Sequence, residues 1–287
     1  MIRGRWRLIG LVLAMVFCLL AFIGPGVPGE RSAHNYLFVV DVTRSMNVPD
    51  YLVDGEPVSR LEMTRRALYQ ALRDLPCGSH VGIALFSGWQ TGLLLNPVEL
   101  CAHRNELNTL AADIDWRLGW VPQSNVRRAL LHGMSRQARM DPAPTIVFIS
   151  DGDEAPQSGA TGWAGRSPAE SEGSLILVGA GSTEPSNVPR LDQRDQFTDF
   201  LSLPSGAPAI SRLDQEHMQE LATIRDFSYL RLQSPEQFSD YLGETRHATM
   251  LPGRYSLAPW FGGAALLLLV AMHVPGLAGK TRRLRRH

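Results

Sequence analysis

YLFVVDVTRS, residues 36–45, is the stretch of sequence that decides the fold. Its first five residues are apolar without interruption, and the run ends at Asp41, where a polar loop begins. A short apolar run that ends in this way is typical of a strand buried inside a parallel sheet. The runs PTIVFIS (144–150) and SLILV (174–178) have the same character, and they predict two further buried strands.

Helical patterns alternate with these strands along the middle of the chain. They cover residues 59–75, 103–116, 125–140, 213–225 and 234–242, and a last short strand is predicted at 229–232. Residues 80–86 and 92–96 predict a β-hairpin. The alternation therefore predicts an α/β fold: a doubly wound, mostly parallel sheet with helices on both faces and one antiparallel edge strand. The stretches 152–173 and 181–208 are rich in Gly, Ser and Pro, and we expect them to be long surface loops.

Charge is distributed unevenly along the 287 residues, although the formal net charge is zero. Eight of the 28 Lys and Arg residues lie before residue 8 or after residue 279, which leaves 20 basic against 28 acidic residues in the middle. An acidic middle lacks the basic surface that nucleic-acid binding needs, so nucleic acid is excluded as a partner.

Two apolar segments flank the acidic middle, at Leu8–Ile23 and Leu257–Leu277. The second has 21 residues, which as a helix extend about 30 Å, the thickness of one bilayer core. Basic residues lie outside both segments, so the positive-inside rule places both termini in the cytoplasm and residues 28–254 across the membrane. We expect an N-terminal membrane anchor (1–27), a transmembrane helix (256–278) and a basic cytoplasmic tail (279–287); a removed signal peptide is the alternative for the first segment.

Oxygen-bearing side chains follow the predicted strands where each strand ends. Asp41, Thr43 and Ser45 form a D-x-T-x-S loop after the first strand, Asp151 follows PTIVFIS, and Ser124 precedes a predicted helix. In a doubly wound sheet, ligands bind beyond the carboxyl ends of the strands. Oxygen ligands of this kind suit a hard divalent cation, with Mg²⁺ favoured and Mn²⁺ or Ca²⁺ as alternatives. Each loop taken singly could also be an ordinary turn capped by its own side chains.

This pattern resembles the metal-ion-dependent adhesion site (MIDAS) of von Willebrand factor A (VWA) domains over residues 34–245. The family has D-x-S-x-S after the first strand, a threonine before a middle helix and an aspartate in a D-G turn. Asp41, Thr43 and Ser45 match the first element, Ser124 takes the threonine position, and Asp151 the last. Thr43 and Ser124 depart from the family residue but keep the hydroxyl. The resemblance implies a bound cation with one coordination position open for a carboxylate of a protein partner.

A finer resemblance points to the Bat (aerotolerance) and Mxa (methanol-oxidation) VWA proteins of bacteria. DVTRSMNVPDY, LPCGSHVGIALFSGW, NPVELCAHRNEL and IDWRLGW are most similar to the MxaL-like group. The resemblance implies a protein of the bacterial inner membrane with its VWA domain in the periplasm. It also implies work with other VWA proteins and a MoxR-type AAA ATPase in maturing a periplasmic enzyme such as a methanol dehydrogenase.

Cys77 and Cys101 flank the predicted hairpin and fall opposite each other across it. On the oxidising side of a membrane such a pair favours a disulfide. Two free thiols, or a zinc site together with His80 and His103, are the alternatives.

Enzymes form the main competing class of function. A dehalogenase-type phosphatase needs D-x-D, and residue 43 is Thr; the chain also has no nucleophile elbow around a serine and no H-E-x-x-H zinc motif. We therefore predict a binding protein and not an enzyme, with a metal-dependent hydrolase or a purely structural membrane tether as the alternatives.

Overall fold

A computed structural model of the chain describes residues 2–121, 124–154, 174–223 and 227–273, the side chains of residues 2–7 and 273 excepted. The chain divides into two compact units, one formed by residues 32–251 and the other by the two ends. Most of the loop expected at 152–173 and the predicted basic tail at 279–287 lie outside the described residues.

The strands and helices of the described chain are numbered here in chain order. The strands are β1 (Gly26–Ala33), β2 (Asn35–Asp41), β3 (Tyr51–Val53), β4 (Glu56–Val58), β5 (His80–Ser87), β6 (Gln90–Glu99), β7 (Thr145–Ser150), β8 (Leu175–Ala180), β9 (Ser186–Asn187), β10 (Pro189–Leu191), β11 (Phe197–Phe200), β12 (Ile210–Ser211), β13 (Ser228–Leu232) and β14 (Thr249–Ser256). The helices are α1 (Ile2–Ile23), α2 (Arg60–Asp74), α3 (Arg104–Ala112), α4 (Val126–Gln137), α5 (Gln215–Thr223), α6 (Pro235–Gly243) and α7 (Ala258–His273). Short 3₁₀ helices cover Arg44–Asn47, Trp116–Leu118 and Thr245–His247.

The larger unit is built on a six-stranded sheet with the order β13-β8-β7-β2-β5-β6. Every neighbouring pair is parallel except β5 and β6, which form the hairpin. The predicted α/β fold, with a mostly parallel sheet and one antiparallel edge strand, is therefore confirmed. The order places β2 between β5 and β7, so the chain leaving β2 emerges in the middle of the sheet.

The two faces of the sheet are covered by different helices. Tyr36, Phe38 and Val40 of β2 pack in the core cluster that contains the buried residues of α2, α3 and α6. Leu37 and Val39 point the other way, into the cluster formed with α4 and α5. Side chains alternate between faces along a strand, so an uninterrupted apolar run is what a strand covered on both sides requires.

Helix α2 begins directly after a side chain that caps its first turn. Ser59 lies just before the helix in extended backbone, and its Oγ accepts a hydrogen bond from the Glu62 N–H (3.1 Å). This cap satisfies one of the N–H groups that lack a partner in the first turn. It fixes the position of Arg60, the first residue of the helix, directly beside the carboxyl edge of the sheet.

Residues 181–208, expected to form a long surface loop, contain short strands instead. Strand β10 pairs with β11 and β9 pairs with β12, both antiparallel. The β10–β11 hairpin is tied to the 3₁₀ helix Trp116–Leu118, because Asp195 in its turn accepts hydrogen bonds from Trp116 Nε1 (3.1 Å) and Arg117 (2.7 Å). These strands have two to four residues, too few to show a periodic pattern in the sequence.

A second hairpin, which the sequence did not predict, follows the first loop of the sheet. Strands β3 and β4 are joined through Asp54 and Gly55, which have φ angles of 54° and 84°. A tight hairpin turn with positive φ at both central residues favours Asp-Gly. Residues 51–58 are therefore a regular hairpin, and they leave Asp50 at its base.

The structure joins Cys77 to Cys101 in a disulfide, with Cα atoms 5.3 Å apart. Cys77 lies between α2 and β5, and Cys101 lies just after β6. The bond closes the open end of the hairpin onto the end of α2.

The second unit contains the chain ends. Helices α1 and α7 pack against each other, with Phe17 and Phe261 stacked at a ring distance of 6.1 Å. Strands β1 and β14 form a two-stranded sheet that the sequence did not predict. In the described part of the chain, which stops at residue 273, no helix is both long enough and apolar enough to cross a bilayer. The two predicted membrane spans are thus not confirmed.

Candidate functional site

Asp41 ends the central strand β2, and its carboxylate organises the loop that follows. Its Oδ1 accepts hydrogen bonds from the Thr43 N–H (2.8 Å) and from Thr43 Oγ1 (2.6 Å). The Thr43 and Ser45 hydroxyl oxygens lie 3.1 Å apart. The loop therefore directs two hydroxyls to one point above a fully buried carboxylate.

The neighbouring strand β7 adds the second carboxylate. Ser150 ends this strand, and its Oγ donates to Asp41 Oδ2 (2.6 Å). Asp151 follows directly and is also fully buried. The next turn contains Gly152 at a φ of +73°, where a Cβ atom would come within 2.6 Å of Met218. Glycine is thus required at this turn for the chain to leave the sheet edge beside α5.

Ser124 reaches the same edge by way of strand β5. It forms a parallel bridge with Gly88, the residue that follows the strand, and the Asn125 N–H donates to the Gly88 carbonyl (2.7 Å). The side chain is buried at 6% exposure, and its Oγ has no hydrogen-bond partner among the described residues, which exclude 122 and 123. A buried hydroxyl without a partner costs free energy, so it indicates a ligand that the protein atoms do not supply.

Burial and mutual repulsion disturb the titration of this site. Burial raises the pKa of Asp41 to about 7, and the charge of Asp151 adds to the rise against the opposing hydrogen bonds from Ser150 and Thr43. Burial also raises the pKa of Asp153 to about 6, with Asp151 again contributing. The buried carboxylates of Asp41 and Asp151 lie near the partly buried Asp153, and a cation would stabilise such a group of negative charges.

Arg60 is a part of the site that sequence reasoning missed. Its guanidinium is fully buried and forms ion pairs with Asp151 Oδ2 (2.7 Å) and Asp50 Oδ2 (2.8 Å). Ser211 Oγ lies 2.8 Å from the same guanidinium and donates to Asp151 Oδ2 (3.2 Å). The absence of a side chain at Gly181 provides the space for the guanidinium, because a Cβ atom at residue 181 would lie 2.5 Å from Arg60 Nε. An arginine at the first position of a helix is ordinarily solvated, so no sequence signal marked it as buried.

The five predicted ligands, Asp41, Thr43, Ser45, Ser124 and Asp151, all lie at the carboxyl edge of one sheet. Hydrogen bonds join Asp41, Thr43 and Ser45 directly, while Ser124 lies on the β5 side and Asp151 on the β7 side. Three or more His, Cys, Asp or Glu side chains do not come together as a metal-binding group anywhere in the described residues. The donors here are two carboxylates and three hydroxyls. The orphaned Ser124 hydroxyl and the converging Thr43 and Ser45 oxygens fit a hard cation, while Arg60 already occupies one oxygen of Asp151.

Comparison with known proteins places the fold. No protein-family model matches the chain, and no curated protein matches it. Among solved structures, an aerotolerance-related membrane protein from Bacteroides fragilis is similar at 20% identity and a TM-score of 0.57, over 72% of this chain and 96% of that one. The protein BatB from Bacteroides thetaiotaomicron is similar at 19% identity and a TM-score of 0.58, over 74% and 97%. At these identities the likeness shows a shared fold.

Proposed function

We propose that residues 34–245 form a VWA-type module that binds a protein partner and does not catalyse a reaction. In this proposal Asp41, Thr43, Ser45, Ser124 and Asp151 hold one divalent cation, Mg²⁺ first and Mn²⁺ or Ca²⁺ as alternatives. When bound, the cation supplies a coordination position that a partner's Asp or Glu carboxylate completes. The residues of this chain fix the position of that contact at the middle of the sheet edge.

The Ser124 hydroxyl is the observation that supports the proposal most strongly. A set of capped turns would satisfy its own polar groups, as Thr43 and Ser150 satisfy Asp41. Ser124 Oγ instead stays buried without a partner among the described residues, beside the end of β5, the strand next to the one that Asp41 ends. A ligand that accepts its lone pairs would account for both the burial and the missing bond.

Ser124 also provides the sharpest test. We expect millimolar Mg²⁺ or Mn²⁺ to raise the melting temperature of the full chain, since a ligand that binds only the folded state stabilises it by mass action. Ser124→Ala removes no hydrogen bond seen here, so it should leave stability without metal nearly unchanged and should reduce the metal-dependent rise. Differential scanning fluorimetry with and without EDTA measures both quantities.

Ser135→Ala is the matched control. Its hydroxyl donates to the Leu131 carbonyl (2.9 Å) on the exposed side of α4, away from the sheet edge. This variant should keep the full metal-dependent rise. An equal rise in Ser124→Ala and the parent, or no rise in the parent, would count against the cation site.

Location and physiology are proposed from the sequence. The basic flanks and the MxaL-like stretches support a module at the bacterial inner membrane, with residues 28–254 in the periplasm and both termini in the cytoplasm. The same resemblance supports a role beside other VWA proteins and a MoxR-type ATPase in maturing a periplasmic enzyme such as a methanol dehydrogenase.

A further inference from the structure

We propose that the partner lies in a groove that starts at the candidate cation site and ends in an aromatic pocket at Phe197 and Phe200, about 150 residues further along the chain. The occupant is an extended segment of the partner, with an Asp or Glu at the cation end and a large apolar side chain, aromatic by preference, in the pocket. The inference rests on the proposed function for its acidic end, whereas the aromatic end stands on separate residues.

Three adjoining cavities form the groove. The first, of about 720 Å³, is lined by Thr43 and Arg44; the second, of about 280 Å³, shares Arg44 with it. The third, of about 550 Å³, is lined by Phe197 and Phe200. Trp116 and Leu191 line all three, so the cavities are sections of one continuous surface. Each is of a size that holds side chains or small ligands.

The far end of the groove is an exposed aromatic pocket. Phe197 is 57% exposed and Phe200 is 42% exposed, and their rings meet edge to face at 5.0 Å. An edge-to-face pair favours one relative orientation of the two rings, and together they offer an apolar surface to a third group. Two large side chains exposed side by side next to a cavity favour a binding site over a scattered surface residue.

The wall of the groove is held by ion pairs. Arg117 pairs with Asp115 and with Asp195 (2.7 Å), and Trp116 Nε1 donates to the same Asp195 carboxylate (3.1 Å). These contacts tie the β10–β11 hairpin to the loop before Ser124. The pocket is thus held at a set distance from the sheet edge, so it can select the spacing between two side chains of a ligand.

The two ends of the groove differ in the charge of the side chains that line them. Arg44 stands between two predicted cation ligands and is exposed, and Arg190 lines the middle section. Neither guanidinium forms an ion pair with a described side chain, while Asp115 and Asp195 are both paired with Arg117. Asp192 also lines the first section without an ion pair among the described residues, so Arg44 and Arg190 together leave a net positive charge along the first two sections. It complements an acidic residue that enters at the Thr43 end.

Synthetic peptides test the inference. The probes are labelled peptides with one Asp and one Phe separated by one to five Gly-Ser residues, and matched peptides in which Asn replaces Asp or Ala replaces Phe. Fluorescence anisotropy with the full chain in Mg²⁺ measures their affinity. We expect one spacing to bind best, and we expect loss of either the Asp or the Phe to weaken it about tenfold or more.

Variants of the chain assign the contacts. Phe200→Ala should weaken the peptide that contains Phe about tenfold and leave the Ala peptide unchanged. Tyr69→Ala, which truncates a similarly exposed aromatic on α2 outside the groove, should have no effect. No peptide bound at millimolar concentration, or an equal loss in both variants, would overturn the groove.

The two halves of the inference fail separately. If peptide affinity depends on Phe200 but not on the peptide's Asp or on EDTA, the groove is supported and the cation site is contradicted. If peptide affinity depends on the peptide's Asp and on Mg²⁺ but not on Phe200, the cation site is supported and the groove is contradicted. A second copy of the chain is the competing occupant: sedimentation that shows a dimer abolished by Phe200→Ala would overturn the assignment to a partner protein.

Discussion

Arg60 pairs with Asp151, whose carboxylate is fully buried, and with Asp50, whose side chain is 6% exposed. Burial alone would lower the pKa of the guanidinium, but Asp151 and Asp50 outweigh it, and the net shift is upward. The group therefore stays charged and supplies one fixed positive charge beside the candidate ligands. The charge of Asp151 is partly neutralised before a metal arrives.

Removing that charge should be costly. Arg60→Met leaves two buried carboxylates without their partner, and loss of one member of a buried ion pair costs about 3–5 kcal/mol of unfolding free energy. We expect urea denaturation in EDTA to show a loss of that size. Because the guanidinium would no longer compete with a cation for Asp151 Oδ2, Mg²⁺ should stabilise this variant more than the parent.

Arg66→Met is the matched control, since Arg66 pairs with Glu62 on the exposed face of the same helix (2.8 Å). An exposed pair of this kind contributes less than about 1 kcal/mol. If both variants lose a similar, small amount, Arg60 is not the electrostatic anchor of the site.

Sequence reasoning at this scale found the residues whose chemistry follows a strand end and missed those that arrive from elsewhere. Asp41, Thr43 and Asp151 follow apolar runs, so the parallel sheet alone predicts their common edge. Arg60 begins a helix, and Ser211 belongs to a two-residue strand. Their positions depend on packing between distant segments, which one sequence does not reveal.

The disulfide is the clearest feature at the scale of elements. It links the turn after α2 to the end of β6 across 24 residues of chain, and it covers the open end of the only antiparallel pair in the central sheet as described. An edge strand lacks a neighbour on one side, so a covalent link at its end limits fraying.

We expect the Cys77→Ser, Cys101→Ser double variant to lose about 2–4 kcal/mol of unfolding free energy through the larger entropy of its unfolded chain. Urea denaturation of the two proteins under non-reducing conditions measures the difference. Mass spectrometry of the untreated parent should show one linked peptide pair. Two thiols that alkylate without prior reduction would contradict the bond.

Elements with a strong period were predictable, and short ones were not. Strands β2, β7 and β8 are continuous apolar runs, and the hairpin of β5 and β6 has turn residues between two strand patterns. Strands β9 to β12 have only two to four residues each, and hydrogen bonds from Trp116 and Arg117 to Asp195 hold the β10–β11 hairpin in place. The aromatic pocket belongs to this second kind, which is why the groove could not be predicted from the sequence.

At the scale of the whole molecule, the distribution of basic residues predicts an orientation. A reporter enzyme that is active only in the periplasm, fused after Gly253, should be active in intact bacteria if both chain ends are cytoplasmic. The same reporter fused after His287 should be inactive. Activity of the second fusion without the first would reverse the topology.

The hydrogen bond from Ser150 to Asp41 has a consequence for how the chain matures. Its two ends are 109 residues apart in sequence, so a ribosome has finished the first ligand long before it makes the strand that completes the site. Contacts of such long range form late, after the intervening elements have docked. A nascent or misfolded chain would thus present Asp41 without its neighbours and would lack the candidate site. If the proposed function holds, binding of a partner would therefore report that the chain has folded.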